Sequence, residues 1–359
     1  MYRVYNQNFY DNSAKKNAFE KEYVNKLKIK AEVRIKESES DTSDQSLYDV
    51  CNKRLNSLFS NYGHIIPEIP NTFEKLLLLS PMSMAKIFLF YCNNIKFKTD
   101  ILYLFRNVWR KGKIRNGAKF FEHSLLDYDY FSNEIAKFLI SNENSDLYTI
   151  NTCYYCNRAY INSYEVSKDC KKRQFDLDHF IPKKECPIFA LSLYNFVPSC
   201  QICNSRVKGT ALYYNDVDNP DILERLFPTS KNYIFDDSLR FHIIPCKKLY
   251  EESKSGFLEY KDMTESFKIE FEHKNSLSDY YEKEANGFNI IKRYDNHKSE
   301  FLAYIDKARK YPPAYFLLLA QKDSLENAND LHDAIFDTKL RNEQKLIFQK
   351  IYNDIDFEL

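Results

Sequence analysis

Two short stretches decide how the chain folds at its centre: CYYCNR at residues 153–158 and CQICN at residues 200–204. Each has two cysteines three positions apart, a spacing at which a tight turn presents two thiolates to one ion. Two such turns complete the tetrahedral set of four sulfurs that Zn²⁺ accepts well. The spacing therefore predicts one zinc site with the ligands Cys153, Cys156, Cys200 and Cys203. The alternative interpretation is a set of buried or redox-active thiols.

The predicted zinc has a structural role, because four thiolates leave no coordination position for a substrate. The chain has nine cysteines, an odd number, and its first ten residues lack the apolar run of a signal peptide. These features favour a reducing, cytoplasmic location, where closely spaced cysteines are metal ligands more often than disulfides. We expect the remaining cysteines to be ordinary small apolar residues: Cys51, Cys92, Cys170, Cys186 and Cys246.

The composition excludes several classes of protein. The chain has 359 residues, with 52 Lys and Arg against 51 Asp and Glu, which gives a formal net charge of +1. A histone-like polycation is excluded, so any surface that binds nucleic acid must be a local patch. Six glycines argue against long glycine-rich phosphate loops. The most apolar stretch, residues 76–92, is interrupted by Pro81 and Lys86 and is too short for a bilayer helix, so no membrane partner is expected.

A second group of polar residues lies between and beside the cysteine pairs. Residues 175–183 are FDLDHFIPK, and Asn204 directly follows Cys203. Phosphodiester hydrolysis needs a base for water, a cation for the developing charge, and positive groups that hold the backbone. A neutral imidazole is a base near neutral pH, and carboxylate and amide oxygens are hard ligands for Mg²⁺. Asp178, His179 and Asn204 supply this minimum set.

Strand geometry sets a condition on this cluster. Adjacent residues of a strand point to opposite faces, so Asp178 and His179 reach one site only if the strand ends or bends there. Pro182, three residues further on, favours such an ending. Asp176 shares a face with Asp178 in an unbent strand. It is either a supporting carboxylate or an extra ligand, or else a solvated strand residue.

The order CxxC, DH, N, CxxCN resembles that of the zinc-framed HNH endonucleases. The resemblance implies a ββα-metal core, in which two short strands and a helix surround one divalent cation. It implies that Asp178 is the first metal ligand and that His179 is the general base. It also implies that Asn195 orients the histidine loop by hydrogen bonds and that Asn204 is the last metal ligand. Asparagine rather than histidine at this last position favours Mg²⁺ or Mn²⁺ over softer metals.

The longer sequence around these motifs is similar to HNH nucleases of bacterial antiphage systems. The similar segments are CYYCNR, DHFIPK and ALSLYNFVPSC, the last at residues 190–200. The nearest comparison is the nuclease subunit of Septu-type systems, which acts beside an ATPase. The resemblance covers about sixty residues and leaves the long N-terminal region unmatched. It implies a role in antiviral defence, an ATPase partner, and DNA rather than RNA as the favoured substrate.

The flanking sequence predicts an α+β protein, mostly helical, that carries the zinc-stabilised nuclease core. We expect a mainly helical region that binds DNA or a partner at residues 1–145, the nuclease core at 146–215, and a mixed and then helical region at 216–359. Short strands are expected at residues 241–244 and 267–271. Residues 101–121 hold six basic and five aromatic residues without an acidic one, which is typical either of a duplex-binding surface or of an amphipathic helix.

Four basic residues flank the cluster closely enough to contact phosphates, with solvated surface residues as the alternative: Lys183, Lys184, Arg206 and Lys208. The favoured hypothesis is a metal-dependent HNH endonuclease that hydrolyses phosphodiester bonds of DNA with low sequence specificity and leaves 5′-phosphate and 3′-hydroxyl ends. Two alternatives stay open. One is a zinc-dependent adaptor that binds nucleic acid or protein without cutting, and the other is an HNH nuclease that cuts RNA or tRNA.

Overall fold

The computed structural model describes residues 2–37, 45–114, 117–142, 147–148, 151–167, 170–245, 267–312 and 346–358, with six further residues between 314 and 336. The chain is an α+β protein that combines helices with small antiparallel sheets. Arg115 and Cys246 lie outside the described residues. None of the helices in the described part has the length and apolarity that crossing a bilayer requires.

Helices dominate the described part of the N-terminal region, as its apolar spacing predicts. Their N-caps are polar: the side chains of Ser46, Ser80 and Asp127 each accept a hydrogen bond from a backbone N–H of the first turn. Such caps satisfy donors that a helix start leaves unpaired. The helices are α1 (Gln7–Asp11), α2 (Ser13–Ala31), α3 (Leu47–Tyr62), α4 (Phe73–Leu77), α5 (Pro81–Asn93), α6 (Ile95–Leu104) and α7 (Tyr128–Ser141).

Most of the described part of the basic aromatic run forms two paired strands instead of an amphipathic helix, and only residues 101–104 belong to α6. Strands β3 (Asn107–Ile114) and β4 (Gly117–Ser124) pair antiparallel, and β1 (Arg34–Lys36) and β2 (Gln45–Ser46) complete a sheet in the order β2-β1-β3-β4. Sheet pairing explains the difference, because long-range contacts with β1 override a local preference that permits either structure.

Arg110 shows what part of this basic run does in the fold. Val108 and Arg110 are both buried, with the two-residue period of a strand. The Arg110 guanidinium lies 3.6 Å from the centre of the Tyr130 ring and 3.1 Å from the Asp127 carboxylate. This basic residue therefore stabilises the packing of the hairpin on α7, and it does not face a nucleic acid.

The C-terminal region begins with short helices and a strand pair. Helices α8 (Pro220–Leu226) and α9 (Phe235–Ser238) precede β9 (Leu239–Pro245), which pairs antiparallel with β10 (Phe267–His273) and confirms the two predicted strands. The later described helices are α10 (Ser278–Gly287), α11 (Ile290–Asp295), α12 (Lys298–Lys310) and α13 (Gln349–Glu358). Helix α12 ends two residues before Pro312, as a proline pair predicts.

The central segment carries the motifs. It contains the hairpin β5 (Ser163–Ser167) and β6 (Cys170–Arg173), then the antiparallel pair β7 (Asp176–His179) and β8 (Phe196–Ser199), and then a π-helix at Ile202–Lys208.

One continuous hydrophobic core includes buried residues from all three predicted regions. The two ends of the described chain both reach the first cysteine pair. The backbone N–H of Tyr2 donates to the carbonyl oxygen of Tyr154 at 3.0 Å, and that of Phe348 donates to the carbonyl oxygen of Asn157 at 2.7 Å. Both flanking regions therefore form hydrogen bonds directly with the backbone of the first cysteine turn.

Candidate active site and metal centre

The structure brings the four cysteines of the two CxxC pairs together. The Sγ atoms of Cys153, Cys156, Cys200 and Cys203 all lie within 4.8 Å of one another, and all four residues are buried and free of disulfide bonds. A tetrahedral zinc site with Zn–S bonds of about 2.3 Å places its sulfurs about 3.8 Å apart, and the sulfurs of Cys156 and Cys200 are 4.0 Å apart. The four thiols can therefore hold a metal ion such as zinc.

The cysteine sulfur atoms of the cluster accept hydrogen bonds of the kind that thiolates accept. The backbone N–H of Cys200 lies 3.3 Å from the Cys153 sulfur, and the N–H of Cys203 lies 3.5 Å from the Cys200 sulfur. The Arg293 guanidinium, from α11, donates to the Cys203 sulfur at 3.2 Å. Donors of this kind stabilise negative charge on ligating sulfur and hold the ligands in place. The other described cysteines differ: Cys51 and Cys186 are buried apart from this cluster, and Cys92 is exposed.

One face of β7 pairs with one face of the π-helix. Residues two apart share a face of a strand, and residues about one turn apart share a face of a helix. Accordingly, the Asn204 amide nitrogen donates to Asp176 at 3.1 Å, and the Lys208 ammonium donates to Asp178 at 2.6 Å. The helix begins at the Cys200–Cys203 turn, so the cysteine cluster fixes the register of these two contacts.

Asp178 is a buried carboxylate with two strong donors. Its Oδ2 atom accepts hydrogen bonds from the Tyr155 hydroxyl at 2.5 Å and from the Lys208 ammonium at 2.6 Å. Burial raises the pKa of the Asp178 carboxyl, while the positive charge of Lys208 and these two hydrogen bonds favour the ionised form. Both side-chain donors use Oδ2, and the backbone N–H of His179 also donates to this carboxylate.

His179 is the last residue of β7, so the strand ends where the sequence requires it to end. Its Nε2 atom lies 2.9 Å from the carbonyl oxygen of Ala190. Because a carbonyl oxygen only accepts, Nε2 carries the proton and Nδ1 presents a lone pair. The ring packs edge-on against Tyr128 and Phe196. Burial lowers the pKa of His179 to about 3, so the imidazole is neutral at neutral pH.

Asn195 is fully buried and binds the backbone that follows His179. Its side-chain oxygen accepts from the N–H of Ile181 at 2.9 Å, and its amide nitrogen donates to the carbonyl oxygens of Ile181 at 3.0 Å and Phe189 at 3.2 Å. Its own carbonyl oxygen accepts from the N–H of Phe180. All these contacts hold the loop after the histidine, which is the geometry that a positioning role requires.

A cavity of about 200 Å³ is lined by Asp178, His179 and Asn204, together with Tyr128, Lys183 and others. A water takes about 30 Å³ in the liquid, so the cavity has room for several. The amide nitrogen of Asn204 is used by Asp176, which leaves its Oδ1 atom for a cation. One carboxylate oxygen and one amide oxygen beside space for water suit a Mg²⁺ or Mn²⁺ ion. Asp176 accepts the hydrogen bond of Asn204 and so holds that side chain in place.

The four basic residues expected at this site differ in their exposure to solvent and in their partners. Lys184 and Arg206 are exposed. Lys183 is partly exposed, lies 4.8 Å from the centre of the Tyr128 ring and pairs with Asp129 at 3.3 Å. Lys208 differs from the expectation of a phosphate contact. It is 4% exposed, because its ammonium is enclosed by Asp178 and the carbonyl oxygen of His179.

Several residues that shape the site were not predicted from the sequence. Tyr155 lies inside the CYYC motif, so its closeness to the cluster could have been inferred. Tyr128, Arg293 and Glu284 come from α7, α11 and α10, and no local pattern marks them. Glu284 is buried, its Oε2 atom has no hydrogen-bond partner among the described residues, and the charges of Lys208 and Asp178 act on its carboxyl group.

Comparison of the chain with protein-family models, with curated proteins and with solved structures finds no match. The geometry of the site itself therefore carries the functional argument.

The cysteine cluster predicts one tightly bound zinc per chain. We expect Cys203→Ser to lose the metal and to lower the free energy of unfolding by at least about 3 kcal/mol, because metal binding is coupled to folding. Elemental analysis and thermal unfolding measure both effects. Cys92→Ser, which changes an exposed cysteine outside the cluster, serves as the control and keeps its zinc. A wild-type protein without zinc would contradict the prediction.

The buried carboxyl of Glu284 should make the free energy of unfolding depend on pH. Burial raises its pKa from 4.5 to about 8, so the folded chain holds a proton there that the unfolded chain releases. This contribution to stability is complete below about pH 4.5 and is lost as the pH rises towards 8. We expect Glu284→Gln to raise the free energy of unfolding by about 1–4 kcal/mol at pH 8.5 and to have little effect at pH 5.

Urea denaturation at the two pH values measures this difference. Asp279→Asn, at an exposed position of the same helix, is the matched control. If both variants show the same pH dependence as the wild type, the buried carboxyl of Glu284 is not the group that titrates.

Proposed function

We propose that this protein is a metal-dependent endonuclease of the HNH type. The observation that carries the proposal is the convergence of Asp178, His179 and Asn204 on one cavity, beside a four-cysteine cluster that fixes the helix bearing Asn204. The order strand, strand, helix around this cavity supports it as well. An adaptor that binds without cutting has no need of a buried neutral imidazole that faces a cavity with room for a hydrated cation.

In the proposed reaction, Nδ1 of His179 accepts a proton from the attacking water, since Nε2 is committed to Ala190. A phosphate group that enters the cavity is negatively charged, so it raises the pKa of the neighbouring imidazole and improves it as a base. Asp178 and Asn204 would hold a divalent cation, which stabilises charge on the phosphoryl and leaving oxygens when it is bound. As the water oxygen bonds to phosphorus, the bond to the 3′-oxygen breaks. That oxygen takes a proton from solvent water, which leaves a 5′-phosphate and a 3′-hydroxyl.

The hairpin β5–β6 is the proposed surface for the nucleic acid. Tyr164 and Val166 are about half exposed, and Lys172 and Arg173 are exposed. The hairpin continues directly into β7, and Arg173 lies beside the hydroxyl of Tyr128, which packs on His179. Basic side chains attract the phosphate backbone without reading its sequence, and this agrees with the low sequence specificity proposed for the enzyme.

The biological setting is a separate proposal. The resemblance to nuclease subunits of antiphage systems supports a role as a defence effector beside an ATPase partner. An unrestrained nuclease of low specificity would damage its own cell, which is why a partner or a conformational gate is part of the proposal.

Plasmid nicking tests the catalytic assignment. We expect wild-type protein with Mg²⁺ or Mn²⁺ to nick supercoiled DNA and His179→Ala to be at least about a hundredfold slower, because the general base is removed. His64→Ala, at an exposed histidine, is the control and should cut normally. Equal cleavage by His179→Ala would reject the assignment of the base. A tRNA substrate in parallel decides between DNA and RNA, and binding without any cleavage would favour the adaptor.

Duplex binding tests the hairpin surface. In a His179→Ala background, we expect the double change Lys172→Ala and Arg173→Ala to lower the slope of log K against log salt by about two, since each residue neutralises one phosphate. Fluorescence anisotropy at several salt concentrations measures the slope. The matched control changes two exposed lysines elsewhere, Lys53→Ala and Lys75→Ala. Unchanged binding by the hairpin variant would remove this surface from the proposal.

A further inference from the structure

Lys208 occupies the side of Asp178 that faces the helix. Its ammonium group lies 2.6 Å from Oδ2 of Asp178 and 2.6 Å from the carbonyl oxygen of His179. The two side chains of this ion pair are 2% and 5% exposed. Charges interact strongly when water is excluded, so this ammonium neutralises most of the negative charge that Asp178 would otherwise offer to a cation.

The rest of the cavity does not supply the missing negative charge. Asp129, at the edge of the site, pairs with Lys183 at 3.3 Å. Asp176 accepts a hydrogen bond from Asn204 and is not among the lining residues, whereas the exposed Lys184 lines the cavity. The described residues that line the cavity include one carboxylate, Asp178, whose charge Lys208 offsets, and two ammonium groups, Lys183 and Lys184. A divalent cation that enters alone meets ligand atoms but no net attraction.

We propose that Lys208 makes binding of the divalent cation depend on nucleic acid, because a substrate phosphate must supply the negative charge that the cavity itself lacks. This inference rests on the proposed nuclease function. Lys208 is then a positioning residue that acts through Asp178 and does not touch the reacting atoms. The cation and the phosphate enter the site together, and the protein without nucleic acid keeps Asp178 paired to Lys208.

Mn²⁺ binding to zinc-loaded protein tests this coupling without measuring activity. Calorimetry or the electron paramagnetic resonance signal of free Mn²⁺ gives the affinity, with and without a short DNA duplex, in a His179→Ala background that does not cut. We expect the duplex to tighten Mn²⁺ binding at least tenfold. Without duplex, we expect the Lys208→Met variant of this background to bind Mn²⁺ at least tenfold more tightly than the background itself. The duplex should tighten Mn²⁺ binding by this variant less than threefold.

Lys75→Met is the matched control, since it removes the same charge from an exposed position away from the cavity. It should shift Mn²⁺ binding by less than threefold without duplex. Zinc content shows whether each variant is folded. If Lys208→Met is folded and binds Mn²⁺ no more tightly than the background, the proposal is overturned.

The background protein provides a second test that does not depend on the Lys208 variant. Equal Mn²⁺ affinity with and without duplex overturns the role of Lys208, and the nuclease assignment survives if the wild type cuts DNA. No Mn²⁺ binding in any arm, together with no cleavage by the wild type, overturns both. The nuclease assignment and the role of Lys208 are both supported if the wild type cuts DNA and if the duplex tightens Mn²⁺ binding in the background protein but not in Lys208→Met.

Discussion

The contact between one face of β7 and one face of the π-helix is the constraint on which the site depends. Two carboxylates two residues apart meet an amide and an ammonium four residues apart, at 3.1 Å and 2.6 Å. A change of one position in the register of either element would turn these side chains away from each other. The Cys200–Cys203 turn sets where the helix begins, so a sulfur cluster outside the cavity controls the geometry inside it.

Burial affects the charge states of His179 and Asp178 in different ways. His179 is neutral because a charged imidazole would be poorly solvated, and its bond to Ala190 selects the tautomer. Asp178 tolerates burial because Tyr155 and Lys208 both donate to it. Breaking such a buried pair from one side costs about 3–5 kcal/mol, so Lys208 contributes to stability as well as to the charge balance of the cavity.

The flanking regions contribute through contacts that are far apart in sequence. Helix α7 supplies Tyr128 to the histidine ring, α11 supplies Arg293 to a cysteine sulfur, and α10 supplies the buried Glu284. The N-terminal segment and the residues before α13 bind the backbone of the first cysteine turn. The site is therefore enclosed by all three parts of the chain, and the cysteine-rich segment does not form it alone.

The sequence by itself determined the cysteine pairs, the cluster of Asp178, His179 and Asn204, the ending of β7 and the strands β9 and β10. The spacing of residues and the alternation of apolar and polar residues are local properties of the sequence, so features that depend on them can be predicted without knowledge of the fold. Only the tertiary structure decided that residues 107–114 and 117–124 pair as strands, that Lys208 is buried against Asp178, and that Glu284 lies near this pair. The reason is physical: whether a strand forms or a charge is buried depends on partners distant in the chain, which no local pattern records.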